Sequence, residues 1–199
     1  MGSAGSAGDD VAPSSHGTHN GGVTSTDATP ETVCQCSIPT SPVTAEAFAP
    51  YGRMLAAQPD GTTMSVDEGA LDLSAGTPRF YVMELGDGRS TFTRITRHRQ
   101  VTQVLAPVGG QPWWLAVAPP CPGSAAEAPM LADIVGFDIP GDVAILLHRG
   151  TWHAGPFFEP PRMSFFNLEL TDTNVVDHDT SRLDCRFGVE CWFDRSMPA

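Results

Sequence analysis

Pro140-Gly141-Asp142-Val143-Ala144-Ile145-Leu146-Leu147-His148-Arg149-Gly150-Thr151-Trp152-His153 is the most informative stretch of this chain. A Pro-Gly-Asp turn opens it, the apolar run Val143–Leu147 follows, and Gly150 breaks the chain before His153. An apolar run that short, bounded by turn residues, reads as a buried strand rather than a helix. The same texture recurs on both sides of it. Phe80–Leu85, Ser90–Ile95, Val101–Leu105, Trp113–Val117, Ile134–Asp138, Met163–Leu170 and Glu190–Phe193 are short apolar runs, punctuated by Gly86-Asp87-Gly88, Gly109-Gly110, Pro119-Pro120 and Pro160-Pro161. Many short strands, with no internal repeat and no long 3.6-residue period, predict an antiparallel sandwich or barrel. Thr44-Ala45-Glu46-Ala47-Phe48 ahead of Pro50-Tyr51-Gly52 predicts a short helix capped by the threonine.

The chain has 199 residues, 41% of them hydrophobic, enough for one domain with its own core. Residues 1–37 are Gly, Ser, Ala, Thr and Asp with few apolar anchors, which predicts a disordered tail ahead of a single domain over 38–199. Residues 120–130 read as an excursion loop. The formal net charge is −12, and all eleven basic residues are arginines. Without lysine there is no Schiff-base chemistry and no Walker-type phosphate loop. An acidic chain is also a poor match for nucleic acid. No apolar run is long enough to span a membrane. Absent leader features and five scattered cysteines predict reduced thiols in the cytoplasm.

Three histidines, His98, His148 and His153, fall in the strand-rich region, whereas His178 lies in a polar C-terminal stretch. Gly150-x-x-His153 after a strand resembles the second signature of cupin barrels, in which the histidine points into the barrel mouth. Thr96-Arg97-His98, Gln103 and Gly110 match the spacing of the first signature, with Thr96 where a further histidine and Gln103 where an acid would stand. That implies a mainly β, cupin-like, jelly-roll barrel with short flanking helices. Cupin metals are normally held by three histidines and a carboxylate. Here the candidate ligands are His98, His153, Gln103 and, as a completing carboxylate, Glu169. Two imidazoles and a neutral amide alone make a weak site for a divalent ion. Glu169 lies in the apolar run Phe165-Phe166-Asn167-Leu168-Glu169, where it either joins the site or faces solvent on an edge strand. Among the arginines, Arg79, Arg94 and Arg149 are the candidates for bidentate capture of a small anion, while Arg89 and Arg99 read as a solvated face.

Phe92-Thr93-Arg94, Arg97-His98, Gln103 and Pro107, then Gly141, His148–His153 and Pro156, then Phe166–Glu169 together resemble the ureidoglycolate lyase family. Phe48-Ala49-Pro50-Tyr51-Gly52 and the segment from Leu73 to Arg79 extend the likeness. The resemblance implies a homodimeric cupin-like enzyme that cleaves (S)-ureidoglycolate to glyoxylate and urea, in allantoin and purine breakdown. It also implies nickel in some members. On this reading His153 is the base, His98 the acid, an arginine holds the substrate carboxylate, Gln103 meets the ureido amide, and Glu169 orients a histidine or completes a metal shell. The missing cupin ligands leave two other readings open: a non-catalytic small-anion-binding or structural subunit, and a cupin enzyme with another substrate.

Overall fold

Alternation along Trp113–Ala118 organises the molecule. Trp113, Leu115 and Val117 enter one hydrophobic cluster, Trp114, Ala116 and Ala118 another, and every residue of the strand is buried. A strand apolar on both faces must be covered on both, which requires two layers. The computed structural model describes residues 33–63, 65, 70–86, 90–120 and 128–196. Its strands are β1 (Cys34–Pro42), β2 (Gly52–Leu55), β3 (Pro78–Gly86), β4 (Thr91–Phe92), β5 (Arg94–Arg97), β6 (Gln103–Pro107) and β7 (Trp113–Ala118). They continue with β8 (Val135–Ile139), β9 (Ala144–Leu147), β10 (Trp152–Phe157), β11 (Arg162–Leu170), β12 (Asp179–Arg182) and β13 (Val189–Asp194). Three short helices, α1 (Ala45–Phe48), α2 (Thr173–Val176) and α3 (Leu183–Phe187), flank them.

One curled sheet runs β12-β5-β10-β7-β8-β1-β13-β4, and the other runs β2-β9-β6-β11-β3. The protein is mainly β, with the two-sheet architecture of a cupin-like barrel. Between the sheets lies the cluster of Phe48, Leu105, Trp113, Leu115, Phe137, Ile145 and Phe165. Burying each such side chain contributes on the order of 2 kcal/mol. Thr44 caps α1 as its sequence predicts, its hydroxyl accepting from the Ala47 amide at 3.1 Å.

Two expectations change. Strand β1 pairs parallel with both β8 and β13, because partners so far along the chain are not tied to it by a hairpin. The strand also begins at Cys34, so the expected boundary at residue 37 cuts through a paired element. Cys34–Ser37 lack a dense apolar pattern, but their backbone groups bond β13 in the register Cys34↔Val189 to Ser37↔Trp192. Residues 1–32, Arg89 and residues 121–127 of the expected excursion loop lie outside the described residues.

Candidate active site

Strand periodicity builds the site. His153 pairs with Val117 on one side and Thr96 on the other, so it faces the same way as both. Val117 belongs to the cluster between the sheets, so this face is the barrel interior. Along β5 and its exit, Arg94, Thr96 and His98 alternate onto that face, while Ile95 and Arg97 point away and Arg97 lies over the Trp152 ring. Opposite stand Gln103 and Leu105 of β6, Asn167 and Glu169 of β11, and Tyr81 and Met83 of β3. The β11–β3 register sets Asn167 against Tyr81 and Glu169 against Arg79. These groups line a cavity of about 270 Å³.

The expected turn at Gly150 is present. Its φ of 81° lies in the left-handed region, and its amide donates to the His98 carbonyl at 2.6 Å. The two signature stretches are therefore joined by backbone at the cavity wall. The His98 and His153 rings lie 5.2 Å apart, centroid to centroid, and His178 lies 5.5 Å from His98. His98 Nδ1 meets the Asp177 carbonyl at 2.5 Å and His153 Nδ1 meets the Thr151 carbonyl at 3.2 Å. A carbonyl only accepts, so both Nδ1 atoms carry hydrogen. Both rings then turn Nε2, the atom left for proton transfer, to the cavity they line.

Glu169 is 1% exposed, on a strand flanked by β6 and β3 rather than at the sheet edge, so it does not face solvent. Its oxygens accept from Gln103 Nε2 at 3.1 Å, Tyr81 Oη at 3.2 Å, and Asn167 and Asn174 Nδ2 at 3.3 Å each. Arg79 approaches to 4.0 Å while stacking on the Tyr81 ring. A carboxylate so buried is tolerable because these donors replace water. Burial, with His98 nearby, pushes the His153 imidazole down to about 3, so it is neutral at physiological pH. The same cause lowers His178, with His98 again contributing.

Arg94 lines the cavity and makes no ion pair among the described residues. Arg149 does not line it. Its guanidinium bonds Asp72 at 2.8 Å and the Arg99 carbonyl at 2.9 Å, outside the barrel mouth. Tyr81, Asn167, Asn174 and His178 line the cavity without having been singled out as candidates for it from sequence. Asn167 and Glu169 share a face by period two, which was a usable signal. His178 and Asn174 arrive on the α2–β12 segment, whose return to the cavity no local pattern announces.

The residues do not fit a cupin metal. Among the described residues no group of three His, Cys, Asp or Glu side chains is placed to hold an ion. Glu169, the expected fourth ligand, spends its oxygens on amide and phenol donors, and the Gln103 amide nitrogen is turned toward Asn167 and Glu169.

Paired imidazoles facing a carboxylate–amide wall, inside a two-sheet cupin-like barrel, place groups that can give and take protons around one cavity. The family model described as ureidoglycolate lyase matches residues 35–193. The chain belongs to the ureidoglycolate lyase family, which makes it a lyase, and nothing in the match favours a non-catalytic subunit. No individual curated protein matches it.

Proposed function

We propose that the protein cleaves (S)-ureidoglycolate to glyoxylate and urea, an amidine-lyase reaction of allantoin and purine breakdown, working as a cytoplasmic homodimer. The observation that carries this reading is Arg94, which makes no ion pair among the described residues, on the same cavity face as His98 and opposite the amide wall. Arg94 takes the substrate carboxylate as a bidentate pair, with Arg79 at the rim. The ureido group lies against Gln103, Asn167 and Asn174, whose amides match its own donors and acceptors. His153, neutral and with Nε2 open, removes the hydroxyl proton. The carbon–oxygen double bond of glyoxylate forms, the carbon–nitrogen bond breaks, and the departing nitrogen takes its electron pair and a proton from His98. One proton leaves oxygen and one reaches nitrogen, so His153 hands its proton back to His98 between turnovers. Glu169, fixed by its four donors, gives the cavity a negative charge that steadies the imidazolium as it forms. Purified protein supplied with ureidoglycolate should release urea and glyoxylate in equal amounts. Absence of both products would overturn the proposal.

A further inference from the structure

Four described cysteines are free thiols, and two of them face each other. Cys36 of β1 and Cys191 of β13 are partners in the parallel register, so their side chains leave the sheet on the same side. Both belong to one hydrophobic cluster, Cys191 wholly buried within it and Cys36 half-buried against it. The Cys36 Sγ donates weakly to the Ser37 carbonyl at 3.9 Å, which leaves it free to turn toward the partner thiol across the strand pair. Neighbouring strands run about 4.8 Å apart, within the roughly 4.4–6.8 Å between Cα atoms that a disulfide spans. Nothing in the acid–base chemistry of the cavity uses either sulfur.

We propose that Cys36 and Cys191 form a thiol–disulfide exchange site that takes a low-molecular-weight disulfide and closes into a clasp between the first and last strands of the domain. Cys36, the more accessible of the two, loses its proton and attacks one sulfur of the small disulfide. The small disulfide's sulfur–sulfur bond breaks, one small thiol departs, and Cys36 carries the other half as a mixed disulfide. Cys191 then loses its proton and attacks the Cys36 sulfur, expelling the second small thiol. The two cysteines are oxidised by two electrons, and the small disulfide is reduced to two thiols. Closure is the slow step. Burial, with Cys36 and Glu190 adding to it, pushes the Cys191 thiol up to about 12, so its thiolate is scarce at neutral pH. The clasp joins positions far apart in sequence, which restricts the unfolded chain strongly and stabilises the folded one.

Incubating the full, folded chain with oxidised glutathione and mapping its peptides under non-reducing conditions tests this. The expected product is a Cys36–Cys191 linked peptide, preceded by glutathione on Cys36, with a melting temperature above that of the reduced chain and reversal by a thiol reductant. A Cys34→Ser, Cys185→Ser double variant should give the same linked peptide, because those exposed thiols are bystanders. Recovery of Cys191 as a free thiol after prolonged oxidation, or adducts confined to Cys34 and Cys185, would overturn the proposal.

Discussion

Arg94 stands four residues before His98 on an alternating strand, so one face presents a guanidinium, a hydroxyl and an imidazole in succession. An arginine without a carboxylate partner, lining a cavity, is poised for an anionic substrate. Replacing it with Ala should raise KM for ureidoglycolate and lower kcat/KM by on the order of a hundredfold, since a bidentate charge-assisted pair with the substrate is lost. Arg149→Ala should leave both constants within error, its guanidinium being tied to Asp72 away from the cavity. Equal losses in the two variants would place the carboxylate elsewhere. His153 calls for a different substitution. Asn keeps a hydrogen-bonding group near the Thr151 carbonyl but cannot carry the proton, so kcat should fall about a hundredfold or more with KM little changed. Unchanged turnover in His153→Asn would remove the histidine from the reaction.

At the level of elements, β1 holds the fold closed by bridging β8 and β13. A chain beginning at Val33 should melt with the full-length protein, whereas one beginning at Ile38 loses the Cys34–Ser37 pairing with β13 and should melt several degrees lower. Identical melting of the two would show that those pairs contribute nothing. Most of the other strands are readable directly, because buried runs such as Trp113–Ala118 and Ala144–Leu147 are apolar and bounded by Gly and Pro. Cys34–Ser37 escape that reading, since their order comes from backbone bonding to a strand near the far end of the chain. The site divides in the same way. His98 and His153 announce themselves by spacing from glycine turns within one local frame. Tyr81 opposite Asn167 depends on the β3–β11 register, and Asn174 and His178 on the fold of a helix turn, neither of which is encoded locally.

For the molecule as a whole, holding an imidazole neutral in the barrel interior links folding to pH. In the unfolded chain His153 titrates near its ordinary 6.5; in the fold it stays neutral down to about 3. Between those values the unfolded chain binds the extra proton, so stability rises with pH. The contribution is complete above 6.5 and is lost progressively as pH falls toward 3. One such group changes stability by about 1.4 kcal/mol for each pH unit inside that window. His148 and His178 are lowered by burial too and act in the same direction. Asp72 and Asp184, held at about 2 by hydrogen bonds to Ser74 and Arg149 and to Arg182 respectively, respond only at lower pH, where carboxylates titrate. The histidines therefore dominate the slope between about pH 7 and pH 5. Denaturant unfolding across that range should show the wild-type chain weakening steadily as pH falls. His153→Asn should weaken less, so the difference between the two narrows toward the acid side. A variant that keeps the full wild-type slope would mean that His153 is already charged in the fold, and the neutral base assigned to it would fall with that result.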